Sequence, residues 1–133
     1  MPDVYSMGNV VTLALRRLRV LNYRKQPDAE TMADGVDALN SMMHAWKSNG
    51  VDIGHFTLAQ ADDFPLGDEH VQGVAALLAI RLASNYGKEI DAGVARDAEM
   101  GWAALEAEFV EAAPDATIDT ALTRVSSRNW IIQ

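Results

Sequence analysis

From Val71 to Leu82 the chain is almost purely apolar, with Val74, Ala75, Ala76, Leu77, Leu78, Ala79 and Ile80 following one another unbroken. A helix that is apolar on every face has to be enclosed, either by other helices or by lipid. Spanning a bilayer takes about 20 predominantly apolar residues, and this run is shorter. The stretch therefore predicts the central helix of a bundle and no membrane span. Its flanks supply the signals: Phe64-Pro65-Leu66-Gly67 reads as a turn, Asp68 as an N-cap, Glu69 as a first-turn acid favoured by the helix dipole, and Gly87 as a stop.

Three further helices follow from spacing. Residues 6–22 place Val10, Leu13, Ala14, Leu18 and Leu21 on one side, flanked by Arg16, Arg17 and Arg19. After a short connection, Asp28 is the expected N-cap of a second helix. There Met32, Val36, Leu39, Met43 and Trp46 recur as an a/d-like seam that Asn49-Gly50 closes. Ile90 to Ala112 reads as a fourth, with Val94, Ala98, Trp102, Leu105 and Phe109 on one face. Gly93 and Gly101 each cost it about 1 kcal/mol relative to alanine, and mark either close approach of a neighbour or mere tolerance. Between the second and third helices, residues 51–63 contain no long periodic pattern, but His55, Thr57 and Ala59 alternate with Phe56, Leu58 and Gln60, which fits a short strand or an extended arm. The expected fold is all-α: a four-helix bundle over residues 1–112, with a short extended loop between helices two and three, and an extended tail over 113–133. A chain of 133 residues can bury such a core, and 49% hydrophobic content with only 7% aromatic suits packed helices.

Catalysis finds no positive support in the residues. With no cysteine there is no disulfide framework, thiolate nucleophile or Cys zinc site. His44, His55 and His70 form neither an HxxxH nor an HExxH pair. Asp62, Asp63, Asp68 and Glu69 lack the alternating spacing and central glycine of an EF-hand loop. No Walker A, GxGxxG or GxSxG segment occurs, and Glu106 and Glu108, two apart, diverge on a helix. No cofactor or metal is expected, and a hydrolase using the acidic turn stands far behind. MPDVYSMGNV lacks the charged and apolar regions of a signal peptide, so a cytoplasmic origin is expected.

The net charge of −8 is unevenly spread. Residues 1–25 carry Arg16, Arg17, Arg19, Arg24 and Lys25 against Asp3, whereas residues 26–111 hold sixteen acids against four bases. An acidic chain of this kind does not grip nucleic acid over its whole surface. The basic cluster alone is most simply a solvated helix face.

The tail DATIDTALTRVSSRNWIIQ differs from the rest, with Ile118, Leu122 and Val125 spaced for a short helical face and Trp130, Ile131 and Ile132 at its end. Two readings stand open. It folds back on its own bundle, or it docks a partner, Trp and flanking aliphatics being typical anchors.

The segments ALRRLRVLN, ADGVDALNSMMHAWKSNGV and FPLGDEHVQGVAALLAIRLASNYG together resemble the head-to-tail connectors of tailed bacteriophages, also called tail accessory factors or packaged-DNA stabilisation proteins. The residues carrying the likeness are Leu39-Asn40, Met43 and Trp46 in helix two, and Phe64-Pro65-Leu66, Glu69-His70, Leu78-Ala79, Arg81-Leu82-Ala83 and Tyr86-Gly87 around helix three. The likeness covers most of the chain. It departs at Val51 to Asp63, shorter than the hairpin-like insertion expected of podovirus members.

The resemblance implies a structural virion protein of the head–tail neck, assembled in the host cytoplasm. It would form a ring, usually a dodecamer, beneath the portal, prolong the DNA channel, retain packaged DNA and offer a platform to the next tail component. DNA would pass through the lumen without sequence-specific binding. Ile118, Leu122, Val125, Trp130, Ile131 and Ile132 become the expected portal-docking residues, with Arg124 and Arg128 facing portal carboxylates. Arg16, Arg17 and Arg19 of one subunit, against Glu30, Asp34 and Asp37 of the next (or Glu106 of helix four), are the expected contact between copies. The alternative is a small regulatory or antitoxin-like interaction module that buries its Trp-bearing tail in one partner.

Overall fold

The computed structural model describes residues 5–22 and 24–110. Its helices are α1 (Met7–Arg17), α2 (Ala29–Ala45), α3 (Val71–Ala83) and α4 (Ala92–Phe109). Single 3-10 turns prolong α2 (Trp46–Asn49), lead into α3 (Asp68–His70) and follow it (Ser84–Tyr86). Among the described residues there is no strand, only an isolated antiparallel bridge between Ser6 and Asp63. This is the all-α four-helix bundle expected from the sequence.

Helix α3 is its centre, packed on α1, α2 and, most extensively, α4. The α2 seam is fully engaged, since Met32, Val36, Leu39, Met43 and Trp46 are all at most 7% exposed. Gly101 turns out to be a site of close approach. A Cβ built on it would lie 2.6 Å from the Cα of Gly73, and one on Gly73 would lie 2.7 Å from the Cα of Gly101. The backbones of α3 and α4 touch there. Gly93 has no such neighbour, meeting only the Asp91 carboxylate.

Four expectations need correction. Helix α1 stops at Arg17 rather than at residue 22, because Arg19 adopts a left-handed conformation (φ 63°). Its N–H donates to the Arg16 carbonyl (3.0 Å) and that of Val20 to Leu15 (3.1 Å), a Schellman closure with arginine in the usual glycine place. Asp68 is not a side-chain cap: it opens the 3-10 turn, and Gly67 precedes it as the cap residue. Helix α4 begins at Ala92, capped by Asp91 through the Val94 N–H (2.9 Å), and ends at Phe109. Finally, α3 is not enclosed on all sides, for Ile80 is 41% exposed and Leu77 partly so.

The strained Arg19 yields a direct expectation. A non-glycine residue in the left-handed region costs about 1 kcal/mol or more, and its ion pair with Asp91 is long (4.0 Å) and exposed. Arg19→Gly should therefore raise the unfolding free energy by about 1 kcal/mol, readable in a denaturant titration.

Candidate functional site

Residues 51–63 form an arm laid across the bundle and held at three points. At its start Val51 is fully buried and its N–H donates to the Trp46 carbonyl (3.0 Å). In its middle, Asn40 of α2 acts as a double hook. The Asn40 amide nitrogen donates to the carbonyls of Val36 (3.1 Å) and Leu58 (2.8 Å), while its oxygen accepts from the Leu58 N–H (3.0 Å) and His55 Nε2 (2.8 Å). Beyond, the arm caps α1: Met7 and Gly8 donate to the carbonyls of Asp62 (2.9 Å) and Gln60 (3.0 Å). These are donors that a helix start leaves without intrahelical partners. The arm is thus the extended alternative, pinned by side chains and helix ends.

His44 and His55 meet edge to face at 4.6 Å, and His44 Nε2 lies 3.2 Å from the Thr57 hydroxyl. Phe56, between these two pinned residues, points out and is 69% exposed. With Nε2 of His55 donating to Asn40, its Nδ1 is buried without a hydrogen-bond partner. Burial, with His44 adding to it, holds His55 below the ordinary imidazole range. The linkage sign follows. Above an unfolded value of about 6.5 both states are neutral; as pH falls through that value the unfolded chain takes up a proton that the folded arm resists. Stability contributed here is present above pH ~6.5 and is lost on acidification. The protection factor of the Leu58 amide, taken relative to the intrinsic exchange rate at each pH, is expected to fall between about pH 7 and 5, and His55→Gln should flatten that dependence.

On the other flank of α2 an open groove of about 630 Å³ lies between α2, α3 and α4, with Trp46, Leu77, Ile80 and Trp102 among its walls and Arg81 and Glu106 at its rim. The two indoles pack edge to face with centroids 5.9 Å apart. This is where the apolar run on α3 reaches the surface.

Of the residues expected between subunits, Arg17 is engaged within the chain, bonded to Asp97 of α4 at 2.8 Å. Arg16 donates to the Lys25 carbonyl (3.3 Å). Glu30, Asp34 and Asp37 are exposed, at four- and three-residue spacing on one side of α2. Within the chain the arginines meet Lys25, Asp97 and Asp91 rather than those acids. Ile118, Leu122, Arg124, Val125, Arg128, Trp130, Ile131 and Ile132 lie outside the described residues.

His70, in the turn that leads into α3 beside Glu69, is 4% exposed, with Nε2 2.6 Å from Glu108 on α4 and its ring against Phe109. Glu69, His70 and Glu108 offer ligand atoms within 4.8 Å of one another. The His70–Glu108 contact clamps the start of α3 to the end of α4. Spacing conceals it, the partners being 38 residues apart. Spacing singles out neither Phe56 nor the part Asn40 plays in holding the arm. A polar residue beside the Leu39 seam position was the available signal for Asn40.

No helix among the described residues is long and apolar enough to cross a membrane. A family model described as P22 tail accessory factor matches residues 1–117, and the chain belongs to that family. It is a structural component of the phage tail or head–tail region, a virion protein that works with other head and tail parts.

Proposed function

We propose that this member of the tail accessory factor family is a head-to-tail adaptor that forms a ring under the portal, continues the DNA channel, retains packaged DNA and carries the next tail component. The observation that carries the proposal is the family match across residues 1–117, which takes in every helix of the bundle. The physics is compatible. A conduit for DNA must guide without gripping, and a chain of net charge −8 repels phosphates that a basic lumen would hold. A closed ring needs heterologous contacts, one face meeting a different face. The basic end of α1 and the acidic stripe Glu30, Asp34 and Asp37 on α2 offer such a pair of unlike faces. Because Arg17 serves Asp97 in its own subunit, the charge test is best made at Arg16 and Arg19. Their joint reversal to glutamate should weaken the ring at low salt.

In this proposal the segment 113–133 is the portal-docking element, with Trp130, Ile131 and Ile132 as anchors and Arg124 and Arg128 answering portal carboxylates. The test combines purified portal rings from the same phage with the full chain, or with a chain ending at Pro114. Native mass and electron microscopy are the readouts. A stoichiometric second ring, a dodecamer on the expected symmetry, should form with the full chain alone. A folded full-length protein that never associates with the portal would overturn the adaptor role.

A further inference from the structure

The arm and the groove are an exposed aromatic knob and an open apolar recess, and one subunit cannot bring them together. The arm is hooked on Asn40 and His44, whereas Ala45 and Asn49 line the groove. Asn40 and Ala45 are five residues apart, about 140° around a helix, so knob and recess sit on opposite flanks of α2. Phe56 is held ready: His55 before it bonds to Asn40 and Thr57 after it to His44, so little conformational freedom remains to be lost when the ring is covered. At 69% exposure it is the most exposed of the large hydrophobic residues among those described. The recess is walled by Trp46, Trp102, Leu77 and Ile80, the last 41% exposed. The arm carries Asp52, Asp62 and Asp63 and no lysine or arginine, and the groove rim holds Arg81 as well as Glu106, so the arginine offers those acids one partner while shape and apolar contact carry the fit.

We propose that Phe56 of one copy seats in the Trp46–Trp102–Ile80 groove of the next, so that the occupant of the groove is a second copy of this chain. A knob and a socket on opposite flanks make a head-to-tail contact that repeats from copy to copy and closes if the rotation permits. This inference rests on the ring proposed above and names the surfaces that would build it. Burying a phenylalanine side chain corresponds to roughly ten- to hundredfold in association. Phe56→Ala should weaken subunit–subunit association by that factor while leaving the melting temperature of the isolated subunit unchanged.

The deciding experiment places p-benzoylphenylalanine at position 56 of the full-length chain, which keeps the aromatic ring. Isotopically light and heavy copies are mixed, assembled on portal rings or concentrated alone, and irradiated, and the cross-linked peptides are identified by mass spectrometry. Mixed light–heavy cross-links from position 56 to the Trp46, Leu77–Arg81 or Trp102 peptides are expected. Rings seen by microscopy without such cross-links would overturn the knob-and-groove contact and leave the adaptor role standing. Cross-links to portal peptides, or to residues 111–133, would assign Phe56 another partner and overturn it equally. If the unmodified chain never associates with itself or the portal, both proposals fall.

Discussion

Gly101→Ala is expected to destabilise the bundle by about 2 kcal/mol, against the intrinsic preference of the helix that contains it. Alanine in place of glycine inside a helix gains about 1 kcal/mol. Here the added Cβ would sit 2.6 Å from the Gly73 Cα, which is backbone of a second helix and cannot swing aside. Relieving that contact means prising α3 from α4, and overpacking of well-packed cores costs about 1–3 kcal/mol, with backbone obstruction toward the upper end or beyond. The net should appear as a fall in melting temperature of roughly 8 °C for a domain of this size. Gly93→Ala is the internal comparison and should not destabilise, gaining up to about 1 kcal/mol, since the substituent meets only the Asp91 carboxylate there. Equal melts for the two variants would mean that the helices separate freely at Gly73 and Gly101.

Asn40→Leu should release the middle of the arm while the helices stay formed. The substitution keeps approximate volume but removes both the donor and the acceptor that hold Leu58, and the acceptor that holds His55. A buried polar group left without a partner costs about 1–3 kcal/mol. The freed arm can reach water, so the total should settle near 2–3 kcal/mol rather than at the sum of the separate bonds. Far-ultraviolet circular dichroism should keep its helical signal. The Leu58 amide should lose its exchange protection, and His55, no longer buried, should titrate closer to an ordinary imidazole. Retained protection at Leu58 would mean that the capping contacts on α1 hold the arm unaided.

The helices were legible because their cores are written in short-range periodicity. The α2 seam from Met32 to Trp46 and the Asp28 cap, whose carboxylate accepts from the Thr31 N–H at 2.8 Å, are both where spacing put them. The end of α1 was not legible, because an arginine closes a motif that glycine normally announces. The opening of α3 was misread for a related reason: an acid after a turn has the signature of a cap, yet the 3-10 turn from Asp68 uses backbone instead. The candidate surfaces were the least legible. Phe56 looked like one member of an alternating stretch, and only the fold reveals that its neighbours are tied down and its own ring is left outside. Ile80 belonged to a run that seemed to demand complete enclosure, and the groove between α2, α3 and α4 leaves that face open. The His70–Glu108 clamp spans 38 residues, a separation at which helix periodicity carries no information.

Because the arm is fastened at fixed points and not woven into a sheet, it is also where this architecture can grow. Between Val51 and Leu58 the chain bears on the bundle mainly through side chains, and Gly54, at φ +66° with nothing within 4 Å of its virtual Cβ, has free space around it. Lengthening a flexible loop adds only about 0.6 kcal/mol per doubling. Residues inserted at Gly54 would project outward from α2 without disturbing the helix core or the cap on α1. Reach toward a neighbouring component could thus be altered by insertion at one site, with the bundle carried along unchanged.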